Sequence, residues 1–131
     1  MERRVVEKIL NALRQFIDYC PNERHLVHGD FGFNNVFSDG KKITGIIDWE
    51  LSKYGDFLYD VAWLSFWETE IDYAEIFFKH YQNIGVLVTN FRERLLCYRL
   101  HLGLSALKFL SDSHQKENYL WTKNRLFALL T

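Results

Sequence analysis

Apolar residues at Val6, Ile9, Leu10, Leu13, Phe16 and Ile17 recur at three- and four-residue steps, with Glu7, Lys8, Arg14 and Gln15 between them. This spacing predicts an amphipathic helix over residues 2–19, closed by Pro21. The period then shortens. Leu26-Val27-His28, Val36-Phe37 and Ile43 to Ile47 are short β-compatible runs, and Ser38-Asp39-Gly40-Lys41 between the last two is a hairpin turn sequence. From Asp56 onward the helical period returns through Leu58, Val61, Ala62, Leu64, Ser65 and Trp67. It recurs over 71–81, 90–110 and 117–130, with breaks at Asn83-Ile84-Gly85 and Ser111-Asp112-Ser113. The pattern predicts an α+β chain, mostly α: a helical bundle with a small β hairpin, in a single domain over 1–131 with no repeat and no linker.

Composition supports a packed core. The 131 residues are 48% apolar and 17% aromatic with a single Pro, which excludes a disordered or low-complexity chain. A net charge of −1 removes the electrostatic basis for binding nucleic acid. Cys20 and Cys97 lie far apart with no CxxC or His-rich spacing, so neither a disulfide framework nor a zinc site is expected, and a reducing, cytoplasmic setting fits. No apolar run approaches the ~18 residues of a membrane span, and Met-Glu-Arg-Arg opens no signal-peptide pattern.

The chemistry concentrates in His28-Gly29-Asp30-Phe31-Gly32-Phe33-Asn34-Asn35 and, after the predicted hairpin, in Ile46-Ile47-Asp48-Trp49. Moving a phosphoryl group from ATP to a hydroxyl requires positioned reactants, charge neutralisation by Mg²⁺ and an acceptor for the hydroxyl proton. Asp30, just after a short strand, suits the carboxylate facing the acceptor hydroxyl. Asn35 offers an amide oxygen to a hard cation and Asp48 an anionic one, so the pair forms a candidate site for Mg²⁺ and its nucleotide. A hairpin brings its ends together, so the sequence between Asn35 and Asp48 need not separate them. Taken alone, His-x-Asp-x-x-x-x-Asn also fits turn residues placed for backbone reasons. The following Asp48-Trp49 and Gly55-Asp56-x-x-x-Asp60 make the joint pattern more specific.

With these residues in view, the chain resembles the aminoglycoside phosphotransferase family, whose fold is similar to that of protein kinases. Arg24 to Val36, Ile43 to Trp49 and Gly55 to Trp67 most resemble its hygromycin B phosphotransferase branch, and the similarity runs on through Leu96 to Leu107 and Trp121. The resemblance implies the C-terminal, catalytic lobe of such a kinase, with Asp30 as catalytic base, Asn35 and Asp48 as magnesium ligands and Asp56 bracing the catalytic loop. It implies ATP and Mg²⁺ as cofactors, an aminoglycoside-like acceptor and antibiotic inactivation. His28 is either a general base or a structural hydrogen-bonding residue, as the matching position usually is in such folds. Asp60 is expected as a helix-start or packing carboxylate.

Acceptor contacts are harder to read. Glu68, Glu70, Asp72 and Glu75 crowd the segment after Trp67, either to attract a polyamine-like sugar or as a solvated helix face. Glu50 and Glu68 are the acceptor-contact candidates, while Trp63 and Trp67, one helical turn apart, are expected in the core.

Members of the family carry an N-terminal nucleotide lobe, yet here 27 residues without a glycine precede His28. The expectation is that this lobe is absent; losing contacts worth ~4 kcal/mol would weaken nucleotide binding about a thousandfold. A separate lobe on another chain, or self-association, would then cover an exposed apolar strip near Val36, Phe37 and Ile46. Two further functions stay open: an inactive remnant or split-enzyme half that binds a cationic ligand or partner protein, and a small-molecule kinase for choline or an amino alcohol.

Overall fold

A computed structural model describes residues 2–131. The chain is α+β and mostly α, with five α-helices and two small antiparallel sheets among the described residues. It divides into two compact units, one comprising the N-terminal segment through Pro21 with Leu87–Thr131, the other Asn22–Val86.

The first unit is helical. Helix α1 (Arg3–Phe16) continues as a 3₁₀ turn at Ile17–Tyr19, as the periodicity predicts to within a residue. Its buried stripe is Val5 and Ile9, whereas Leu10 and Ile17 of the expected face are exposed, so the core-facing side is rotated slightly from the expected one. Helix α4 (Phe91–Asp112) is packed against by α1 and by α5 (Lys116–Leu129). Leu95, Leu100, Leu107 and Leu126 are buried here. At the predicted break, α4 ends with His114 at φ 58°, a left-handed residue after the last turn, and Gln115 N–H bonds the Leu110 carbonyl.

The second unit carries the strands. β1 (His25–Val27) pairs antiparallel with β4 (Lys53–Gly55), and β2 (Val36–Ser38) with β3 (Ile43–Ile46). The predicted hairpin is β2–β3. At its turn the Asp39 carboxylate accepts the N–H groups of Lys41 and Lys42, which lowers its pKa, and Gly40 takes φ 87°. β4 is the strand the pattern does not reveal, because three residues with an exposed Tyr54 carry no readable alternation. α2 (Leu58–Trp67) buries Leu58, Val61, Ala62, Leu64, Ser65 and Phe66, nearly its whole circumference, and packs with α3 (Tyr73–Asn83). Gly85 at φ 71° follows α3 at the predicted break. Of the expected apolar strip, Phe37 is 56% exposed, while Val36 and Ile46 are half-buried. Among the described residues no helix is long and apolar enough to cross a membrane.

Candidate active site

The loop after β1 is fixed by hydrogen bonds to its backbone. Asp60, in the first turn of α2, accepts the His28 N–H through Oδ2 at 2.8 Å and the Gly29 N–H through Oδ1 at 2.9 Å. Bonds of this kind, to an ionised acceptor, contribute about 1.5–3 kcal/mol each. Asp60 thus does more than start its helix. Asp56, the acid expected to brace the loop, is buried and accepts the Leu58 N–H at the entry to α2.

His28 ties the loop to the hairpin. Its Nδ1 accepts the Asp30 N–H at 3.2 Å, which places the ring proton on Nε2, and Nε2–H donates to the Ile47 carbonyl at 2.8 Å. With both ring nitrogens engaged by backbone, neither is left to take a substrate proton, which favours the structural alternative for His28. The Trp49 ring lies 4.7 Å from the imidazole, and Trp49 Nε1–H donates to the Ile46 carbonyl. Gly29 closes the arrangement: it has φ +86°, and a Cβ there would lie 2.2 Å from the Leu51 carbonyl oxygen. No side chain fits between these two backbones.

Asn35 is buried at the end of a 3₁₀ turn, Phe33–Asn35. Its Nδ2 donates to the Asp30 carbonyl at 2.8 Å and to Asp30 Oδ2 at 3.2 Å, holding the candidate base in place. The Ile47 N–H bonds the Asn35 carbonyl at 3.0 Å, continuing the β2–β3 ladder, so Asn35 lies across from the residue before Asp48. Asp48 itself is exposed, with φ 58°, a left-handed conformation unusual for a residue with a side chain and common at functional turns. Among the described residues its carboxylate makes no hydrogen bond or ion pair, and Asn35 Oδ1 accepts none. One amide oxygen and one carboxylate, both uncommitted, fit a magnesium ion that completes its shell with phosphate and water. The described residues hold no cluster of three or more His, Cys, Asp and Glu that could bind a metal without such help.

A groove of about 480 Å³ opens beside Asp30, lined by residues 30–34 of the loop and by Trp63, Leu64, Trp67 and Glu68 of α2 and its end. Trp63 and Trp67, expected in the core, are instead half-exposed groove residues, with Trp67 38% exposed and the two rings 6.2 Å apart. A one-turn spacing does not tell a core pair from a pair on a groove wall, which is why pattern alone misplaced them. Of the acidic crowd, Glu68 lines the groove. Asp72 caps α3 by accepting the Glu75 N–H, and Glu75 pairs with Lys79 at 3.5 Å, as on a solvated helix face. Glu50 is exposed in the turn after Trp49 and is not among the groove residues.

A short strand, a loop carrying Asp30 and Asn35, and a hairpin returning Asp48 toward Asn35 form the arrangement found in the catalytic half of kinase-like folds. The chain belongs to the phosphotransferase enzyme family, APH, whose family model matches residues 2–95. It is 32% identical over 125 residues to the hygromycin-B 4-O-kinase of Escherichia coli, a match spanning 95% of this chain and 36% of that protein. A thermostable mutant of aminoglycoside phosphotransferase APH(4)-Ia, in ternary complex with AMP-PNP and hygromycin B, superposes with a TM-score of 0.81 at 31% identity. That match covers 98% of this chain and 44% of that one, so this chain spans less than half the length of these relatives. A choline/ethanolamine kinase family protein from Mesorhizobium loti shares the fold, with a TM-score of 0.69 at 22% identity over 97% of this chain and 45% of that one.

Proposed function

We propose that this chain is the catalytic and acceptor-binding part of an ATP-dependent O-phosphotransferase that phosphorylates a hydroxyl of an aminoglycoside-like sugar and so inactivates an antibiotic. The observation that carries the reading is the juxtaposition of Asp30, Asn35 and Asp48 through the Ile47–Asn35 and His28–Ile47 bonds. Asp30, steadied by the Asn35 amide, takes the hydroxyl proton as the acceptor oxygen attacks the γ-phosphorus of ATP, while the bond from that phosphorus to the β–γ bridging oxygen breaks and ADP leaves. Asn35 and Asp48 would hold Mg²⁺, which supplies neutralisation of phosphate charge when bound. Glu68, at the groove, meets a protonated amine of the acceptor. Dependence on ATP and the two free thiols, Cys20 and Cys97, fit a cytoplasmic site of action.

Calorimetric titration of Mg-ATP into the chain, beside Asp48→Ala, and mass spectrometry for phosphorylated hygromycin B test this reading. Binding lost in the variant together with product supports it, and absence of both refutes it.

A further inference from the structure

Phe33 is 59% exposed, and an exposed aromatic usually needs no explanation. This one differs in three respects. It lines the groove beside Asp30. It sits on the 3₁₀ turn whose last residue, Asn35, is buried and bonded to Asp30, so its backbone is fixed. Its ring leans on Tyr73, with centroids 5.9 Å apart and planes at 58°, so the ring itself has a neighbour that orients it. The loop therefore presents an immobilised aromatic face to the groove to which α2 contributes the half-exposed Trp67.

The charges along the groove are Asp30 and Glu68, with no basic residue among its lining. An aromatic face takes up the C–H side of a sugar ring and attracts a cation above it. Aromatic faces with two acids suit a ligand that is both ring-shaped and positively charged. The volume, about 480 Å³, lies in the range that encloses a drug-sized molecule and far exceeds what a small amino alcohol fills.

Building on the proposed acceptor reading, we infer that Phe33 is a specificity-determining residue, a stacking platform that selects a protonated, multi-ring amino sugar over small quaternary amines and over neutral saccharides. The test is tryptophan fluorescence titration of the chain with hygromycin B, choline and sucrose, using the native protein, Phe33→Ala, Phe33→Tyr and Phe37→Ala. Phe37 is the control because it is equally exposed, at 56%, and lies outside the groove. The expected results are a rise of about tenfold in the hygromycin B Kd for Phe33→Ala, corresponding to the loss of one aromatic contact, and near-native binding for Phe33→Tyr. Phe37→Ala should match the native protein, and choline and sucrose should bind it far more weakly than hygromycin B does.

Circular dichroism of Phe33→Ala establishes that it is folded, and Phe33→Tyr keeps the ring should the alanine variant fail. Native-like affinity in folded Phe33→Ala overturns the assignment while leaving the acceptor reading standing. Tighter binding of choline than of hygromycin B overturns the choice of ligand class. If the native chain takes up no hygromycin B, both the assignment and the acceptor reading fall.

Discussion

The two units of this chain are stabilised by different means. In the unit of α1, α4 and α5 the buried positions are mostly aliphatic, with Ile9, Leu100, Leu107 and Leu126 fully enclosed. The unit of residues 22–86 has such a core along α2, but the loop after β1 is placed by polar bonds: Asp60 to two backbone N–H groups, His28 to Asp30 and Ile47, and Asn35 to Asp30. Apolar burial is non-directional, whereas these bonds each fix a distance and a direction. The contrast teaches that fold and site geometry can fail separately, since a chain can keep its helices and lose the sub-ångström placement on which phosphoryl transfer depends.

The largest expected effect strikes the site without the core. Asp30→Asn keeps the shape of the side chain but removes its capacity to take a proton, and the rate of hygromycin B phosphorylation should fall about a thousandfold. Mass spectrometry of product against time measures it, with the melting temperature unchanged. A native rate in this variant would remove Asp30 as the base. The converse experiment is Leu100→Ala, which opens a cavity in a fully buried position of α4 and should cost about 3 kcal/mol in urea unfolding. Hygromycin B affinity of the folded fraction should be unaltered, because the groove is lined by residues 30–34 with Trp63, Leu64, Trp67 and Glu68, none of them on α4.

Asp60→Ala sharpens the comparison from inside the second unit. Two part-buried N–H groups lose their carboxylate acceptor, for about 3 kcal/mol of destabilisation, the low end for two such bonds. Because His28 also grips the Ile47 carbonyl, movement of the loop should carry over to Asp48. Calorimetry should then show Mg-ATP affinity falling in Asp60→Ala beyond any effect of a stability-matched core variant. Equal losses in the two would reduce Asp60 to a packing carboxylate.

How much of this was legible in the sequence follows the same division. The helix of residues 3–19 and the later helices emerged from three- and four-residue periodicity to within about two residues, because buried helix faces repeat over many positions. The hairpin emerged from its turn chemistry at Ser38 to Lys41. Spacing also brought Asn35 across from the residue before Asp48, since the ends of a hairpin must meet. Asp60 was legible only as the first-turn acid it is, because nothing local reveals that its carboxylate also reaches His28 and Gly29, over 30 residues away. β4 and the groove faces of Trp63 and Trp67 were hidden for a related reason: three residues carry no period, and one helical turn carries no direction.

The last expected effect is a titration in the first unit, felt only in alkaline solution. Burial, together with the neighbouring Cys20 thiol, pushes the Cys97 thiol up to about 12 from a reference of 9.0. A thiol is neutral when protonated, so the folded state holds its proton through a range in which the unfolded chain releases it. Stability from this source is therefore complete below pH 9, declines as the pH rises above it and is gone beyond about pH 12. Urea midpoints between pH 8 and pH 11 should fall less steeply in Cys97→Ala than in the native chain once their difference at pH 8 is subtracted. At pH 8, where the folded thiol is almost wholly protonated, Ellman's reagent should modify the half-buried Cys20 before Cys97. Rapid modification of both thiols in the folded chain would mean that the helical unit opens as readily as a loop, and the division between an enclosed aliphatic core and a polar-pinned site would no longer hold.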